Sequence, residues 1–76
     1  ILGIRVSAEK SEIVWRVNRL EKHGIKKLPV GRDSFVTLMC EERKSENERP
    51  EITVESDKPI KVKVIYGEDW QLSFEI

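Results

Sequence analysis

Cysteine and histidine are nearly absent from this chain, which has one of each among its 76 residues. The single cysteine, Cys40, excludes an internal disulfide, and no Cys/His cluster has the spacing of a zinc site. Small secreted domains usually need disulfides to compensate for a modest core. The sequence therefore predicts an intracellular, cytoplasmic domain that holds neither a metal nor another cofactor.

Long apolar runs are also lacking. None approaches the ~18 residues that a transmembrane helix requires. The chain has no secretory signal and begins at Ile1 without a methionine, so we expect a domain taken from a longer protein. A length of 76 residues is enough for one domain, residues 1–76, with a single modest core.

Catalytic patterns are missing as well. The sequence contains no glycine-rich phosphate loop and no metal motif. His23 has no cysteine or acid at ligand spacing and suits the last turn of a helix. Ser34 beside Asp33, and the pair Glu68-Asp69, are typical of turns. We therefore predict that the chain is not an enzyme, has no small-molecule substrate and acts by binding.

Neither sign of charge is in excess over the whole chain, which holds 14 Lys/Arg and 14 Asp/Glu. The two halves differ, however. Residues 1–32 hold eight basic and three acidic residues, for a net charge of +5, and residues 33–76 hold six and eleven, for a net charge of −5. The first half fits an anionic partner. The alternative is that the halves neutralise each other within the fold.

The clearest periodic pattern is helical. Over residues 8–23, one side of a helix with 3.6 residues per turn collects the apolar residues Ile13, Val14, Val17 and Leu20. Ser7 is suited to cap the start of this helix, and Gly24 is suited to cap its end. We therefore predict one amphipathic helix over residues 8–23.

Alternating apolar residues predict strands in the rest of the chain. The expected strands cover residues 2–6, 35–40, 52–54, 60–66 and 70–76. The last two form a hairpin around residues 67–69, and 52–54 is a short edge strand. Residues 26–34 are expected to be a connector because they contain Pro29 and Gly31. The highly polar residues 41–51 are predicted to form a mobile charged loop.

These elements predict an α+β fold in the order β-α-β-β-β. An antiparallel sheet of four to five strands carries the helix on one face, and the other face meets water. The expected core consists of Leu2, Ile4, Val6, Ile13, Val17, Leu20, Leu38, Val62, Val64, Leu72 and Phe74.

Trp15 is the centre of the candidate binding site. It lies two residues from Ile13, which places it on the outer side of the predicted helix. Arg19 and Lys22 share its stripe, and Arg16 and Lys26 can flank it. A tryptophan among cations suits a protein partner, an anionic membrane surface or a nucleic acid. Alternatively, Trp15 packs under another part of the parent protein or against its own arginine.

The order of elements resembles the kinase-associated regulatory domain at the C-terminus of AMP-activated and microtubule-affinity-regulating kinases. The resemblance spans most of the chain. It is carried by Leu2-Gly3-Ile4-Arg5 leading into the predicted helix, by Phe35–Cys40, and by the closing hairpin with Phe74 in its last strand. It implies a non-catalytic module that binds anionic phospholipid, an adjacent kinase domain or a partner subunit. The same resemblance implies basic contact residues at Arg16, Arg19, Lys22, Lys26 and Lys27.

Taken together, these patterns predict a regulatory binding module that uses a basic, tryptophan-bearing helix face. A protein partner or a domain of the parent chain is the preferred partner, and anionic lipid is the second. A nucleic-acid-binding domain is an alternative from the same patch. A structural subdomain of a larger enzyme or assembly is another.

Overall fold

The computed structural model describes residues 3–76, and over that range the chain is entirely β, with no helix. The strands are β1 (Ile4–Ser7), β2 (Glu12–Val17), β3 (His23–Pro29), β4 (Phe35–Cys40), β5 (Ile52–Ser56), β6 (Lys61–Tyr66) and β7 (Trp70–Glu75). They form a four-stranded sheet in the order β1-β2-β6-β7 and a three-stranded sheet in the order β3-β4-β5. The predicted α+β fold with a packed helix is therefore wrong.

The path of the chain links the two sheets. After β2 the chain leaves the four-stranded sheet, builds the whole three-stranded sheet, and returns to place β6 parallel to β2. Every other strand pair is antiparallel. The central pair of the four-stranded sheet is therefore made by strands that are far apart in the sequence.

One core lies between the two sheets. Along β2, β4 and β6, alternate side chains are buried, as expected for sheets packed face to face. The buried apolar residues are Ile4, Ile13, Trp15, Val17, Val30, Val36, Leu38, Cys40, Ile60, Val62 and Val64. Both sheets contribute to this cluster, so neither sheet buries its apolar face without the other.

Most of the expected core residues are buried, but not all. Leu72 and Phe74 are half-buried against the core. Val6 and Leu20 are 38% and 41% exposed, so their assignment to the core was wrong. Leu2 lies outside the described residues.

The segment predicted to be a helix over residues 8–23 forms a turn, then β2, then the approach to β3. The stretch Glu12–Val17 is rich in β-branched and aromatic residues, which favour strands. Ile13, Trp15 and Val17 alternate along β2 and are all buried. The helix prediction was wrong because the spacing of Ile13 and Val17 fits both periods, and Trp15 had been assigned to the polar side.

Gly24 was predicted to cap that helix, and it instead lies within β3, opposite Met39. A Cβ at Gly24 would collide with the carbonyl oxygen of Leu38 and would lie 2.7 Å from the sulfur of Met39. The glycine is therefore required by close packing of two strands rather than by a helix end.

The strand predictions for residues 35–40, 52–54, 60–66 and 70–76 are confirmed, and the strand predicted over residues 2–6 is observed as β1, Ile4–Ser7, within the described residues. β4 matches its predicted bounds, β5 is an edge strand that extends to Ser56, and β6 and β7 form the expected hairpin. The predicted connector over residues 26–34 is wrong in its first half, because β3 continues to Pro29. The pairing of β3 with β4 is interrupted by a bulge between Ile25 and Leu28, where Lys27 has a φ of 54°.

Candidate interaction surface

Trp15 does not lie on the surface. Its side chain is 1% exposed, between the two sheets. On β2 it lies in register with Ile4 of β1 and Val64 of β6. The expectation that Trp15 lies on an exposed helix face is therefore wrong, because the fold itself covers the indole.

The basic residues predicted to surround Trp15 are spread over two sheets. Arg16 is on the outer face of β2, Arg19 and Lys22 lie in the β2–β3 connection, and Lys26 and Lys27 lie in the bulge of β3. A strand turns side chains to alternate faces, so neighbours in the sequence do not form one stripe. The structure does not bring these five cations together with Trp15.

Three of these cations face carboxylates at the surface. Arg16 lies 2.7 Å from Asp69, and this pair connects β2 to the β6–β7 turn. Arg19 lies 3.7 Å from Glu21, and Lys22 lies 3.8 Å from Glu41. Exposed pairs of this kind stabilise a fold by little, at most about 1 kcal/mol. They do reduce the positive potential available to an anionic partner.

Arg43 is the charged residue that the fold uses in its interior. It is 4% exposed, and its guanidinium donates hydrogen bonds to the carbonyl oxygens of Arg19 (2.9 Å), Glu46 (3.0 Å) and Glu48 (3.1 Å). Its backbone N–H donates to the carbonyl of Leu20 at 2.6 Å. The sequence carried no signal for this role, since Arg43 stands among other charged residues. These bonds tie the segment 41–51 to the β2–β3 connection, and the mobility of that segment stays a prediction.

At one end of the molecule, Ser34 and Asp57 link the two turns that flank β4 and β5. The buried hydroxyl of Ser34 donates a hydrogen bond to Asp57 Oδ1 at 2.8 Å, and the backbone N–H of Phe35 donates to the same oxygen at 3.3 Å. The hydrogen bond from Ser34 lowers the pKa of Asp57, and the one from Phe35 adds to it. The Ser34 hydroxyl therefore joins the turn before β4 to the turn after β5.

His23 and the acidic residues do not assemble into a metal site. His23 Nδ1 lies 2.8 Å from the carbonyl oxygen of Glu21. Across residues 3–76, no group of three or more His, Cys, Asp or Glu side chains is arranged to hold a metal ion. Within the same range, no helix is long and apolar enough to span a bilayer.

The four sheet edges differ in how they are protected. β1 has four residues, and β3 carries a bulge, two lysines and Pro29, which are the usual devices against pairing with another chain. β5 has five residues. β7 has six residues, pairs with β6 without a register shift, and contains neither proline nor lysine. Among the described strands, β7 therefore has the longest regular edge without such protection.

The backbone of β7 has a defined hydrogen-bonding phase. Ile60 and Ile76 exchange both of their backbone hydrogen bonds, at 3.1 and 3.0 Å. In an antiparallel pair such exchanges recur every second residue. The intervening residues Gln71, Ser73 and Glu75 therefore direct their N–H and C=O groups away from β6. We call this row, with the side chains of residues 70–76, the β7 edge.

The inner side of the β7 edge is apolar and incompletely covered. Leu72 and Phe74 are half-buried against the core. Trp70 and Ile76 at the two ends are 46% and 49% exposed. The Trp70 ring rests edge-on against Tyr66, with ring centroids 5.8 Å apart. Sequence reasoning placed these residues in a core strand, and it missed that the strand is an edge.

Comparisons with family models, curated proteins and solved structures found no match. They do not bear on the resemblance to the kinase-associated domain, which stays a prediction. The helix on which that resemblance partly depended is replaced by β2.

Proposed function

We propose that this chain is a non-catalytic protein-binding module whose partner adds a strand along the β7 edge. The observation that supports this proposal is the open, regular six-residue strand with three outward-facing backbone positions. Proteins that recognise extended segments use such edges, because main-chain hydrogen bonds provide affinity and alternate side chains provide specificity.

The side chains beside this edge suit a protein partner. Large aromatic residues at the centre of an interface contribute most to binding when a partner covers them. Trp70 presents about half of its surface next to the free backbone groups, with Tyr66 supporting its ring. An added strand would cover Trp70, Leu72 and Phe74 on one side while its backbone pairs with β7.

The alternatives from the sequence receive less support. Binding to anionic lipid or nucleic acid relied on cations gathered around an exposed Trp15, which is buried. The structural-subdomain hypothesis relied on Trp15 being covered by an absent partner chain, and this fold covers it by itself. Binding of a protein partner at the β7 edge requires neither an exposed Trp15 nor a missing chain that covers it. We therefore prefer a protein partner.

A display selection of random seven-residue peptides against the full chain tests the proposal. We expect selected peptides with alternating apolar and polar residues, which can pair as a strand. Binding should be lost with Ser73→Pro, because proline removes the N–H that points to the partner and is tolerated on sheet edges. Ser73→Ala is the matched control, since it keeps that N–H and should keep binding.

Circular dichroism and the melting temperature must show that Ser73→Pro still folds. A second variant, Trp70→Ala, checks the apolar side and should weaken the selected peptides without changing the β6–β7 pairing. The proposal fails if no peptide is selected, or if selected peptides bind both Ser73 variants equally.

A further inference from the structure

We infer that the partner at the β7 edge is a second copy of this chain, paired antiparallel to the first through β7. This inference rests on the proposed function and names its partner. The two four-stranded sheets would join into one continuous sheet. A twofold axis through Ser73 relates the copies, as in most symmetric dimers.

The backbone phase of β7 fits this axis. The free N–H and C=O groups belong to Gln71, Ser73 and Glu75, as set by the exchange between Ile60 and Ile76. An axis at Ser73 places it opposite Ser73 of the second copy and places Gln71 opposite Glu75 of that copy. The free backbone groups of all three residues in one copy then face those of the same three residues in the other copy. Each opposed pair exchanges two backbone hydrogen bonds.

The apolar side chains match in the same register. Leu72 falls opposite Phe74 of the second copy, and both are only half-buried in one copy. Trp70 falls opposite Ile76 of the second copy, and these are the two exposed ends of the strand. One register therefore covers all four incompletely buried apolar side chains of the strand at once.

The polar side chains and the free backbone groups favour this register. With the axis at Ser73, the carboxylate of Glu75 meets the amide of Gln71, which can donate a hydrogen bond to it. Moving the axis to Leu72 opposes Glu75 with Asp69, and like charges directly opposite each other destabilise strand pairing. Moving the axis to Phe74 pairs Ser73 with Glu75 and leaves the free groups of Gln71 outside the pairing within residues 70–76.

Charge variants at Gln71 test the register directly, because this side chain is exposed and lies outside the core. Gln71→Glu places a carboxylate opposite Glu75 twice per dimer, and Gln71→Lys places an ammonium there twice. In sedimentation velocity over a concentration series, we expect the dissociation constants of the two variants to differ by about tenfold, with Gln71→Lys the tighter. Added salt should reduce this difference.

The Ser73 variants complete the design. We expect Ser73→Ala to dimerise like the parent chain and folded Ser73→Pro to stay monomeric at the same concentrations. A monomer at every concentration would overturn the inference, and so would open-ended assembly, because a twofold contact uses up both edges. A dimer that ignores the charge at Gln71 would overturn it as well, since the copies would then meet elsewhere.

Failure of the inference can be separated from failure of the proposed function. If the chain stays monomeric but binds displayed peptides in a way that Ser73→Pro abolishes, the self-pairing is wrong and the binding function stands. If the chain forms no dimer through the β7 edge and binds no peptide there, the inference and the proposed function are both wrong.

Discussion

Trp15 and His23 pack edge to face, with their ring centroids 5.5 Å apart and their planes at 73°. Trp15 belongs to β2 of the four-stranded sheet, and His23 begins β3 of the three-stranded sheet. Their contact therefore crosses from one sheet to the other. Aromatic pairs in this arrangement contribute about 0.5–1.5 kcal/mol beyond the area they bury.

The burial of Trp15 predicts a difference between the two tryptophans in solution. In Trp70→Phe, the remaining fluorescence comes from Trp15 and should be blue-shifted and resistant to quenching by iodide. In Trp15→Phe, the fluorescence comes from Trp70 and should be red-shifted and quenched. Equal quenching of both variants, each shown to be folded, would contradict this placement. Trp15→Ala should lower the free energy of unfolding by about 3–5 kcal/mol.

Arg43 should be needed for stability despite its place in a charged segment. Arg43→Lys cannot reach the carbonyls of Arg19, Glu46 and Glu48 with one ammonium group. Losing these charge-assisted hydrogen bonds of the buried Arg43 side chain should lower the free energy of unfolding by roughly 1–3 kcal/mol. Arg49→Lys in the same segment is the control, because Arg49 is exposed and should tolerate the change. Urea denaturation of both variants decides, and equal stability would show that the Arg43 bonds contribute nothing.

Asp57 should make stability depend on acid pH. The hydrogen bond from Ser34 lowers the pKa of Asp57 in the folded chain below its ordinary value of 3.8. A lowered pKa means that the ionised carboxylate contributes stability above pH 3.8, and that this contribution is lost as the pH falls through the folded-state pKa. In urea denaturation, we expect wild type to have a larger free energy of unfolding than Asp57→Ala at neutral pH, and we expect the difference to shrink as the pH falls below 3.8.

Ser34→Ala provides the matched check on the cause. Without its hydroxyl, the pKa of Asp57 should rise toward the ordinary value, and the loss of stability at acid pH should become smaller. An NMR titration of the Asp57 carboxyl in both chains measures this directly. An unchanged pKa in Ser34→Ala would show that the serine is not responsible.

Cys40 should react slowly while the chain is folded. Burial raises the pKa of its thiol above 9.0, the nearby Arg43 charge opposes this rise, and Glu41 adds to it. Alkylation requires the thiolate, so both the raised pKa and the buried position oppose it. Iodoacetamide labelling followed by mass spectrometry should therefore be many-fold slower in native buffer than in urea. Equal rates would mean that the thiol is accessible.

The parts of the fold that were predicted correctly depend on local alternation. β4, β6 and β7 each place apolar residues on one face, and Gly67 provides the positive φ of the hairpin turn. The segment with β2 was ambiguous, because Ile13 and Val17 lie four residues apart and fit a helix and a strand equally. Strand preference depends on what pairs beside the segment, and β6 is far away in the sequence.

The candidate surface could not be predicted from residue spacing for a related reason. Arg19 and Lys22 share a face with Trp15 only if the segment is helical. The role of Arg43 depends on carbonyls brought from Arg19, across the β2–β3 connection. Whether a strand is central or at an edge is likewise a property of the assembled sheet, so the open side of β7 had no local signal.

Alternation within short stretches was enough to place β4, β5, β6 and β7 and to identify which of their faces are apolar. This is possible because the alternation of a strand depends only on residues that are close in the sequence. It could not choose between helix and strand at residues 12–17, where both periods bury the same two aliphatic side chains. The parallel pairing of β2 with β6 made that choice, and it moved Trp15 from a presumed surface into the interior. Contacts between distant parts of the chain decide such questions, since the free energy of a strand comes mostly from the partners it meets.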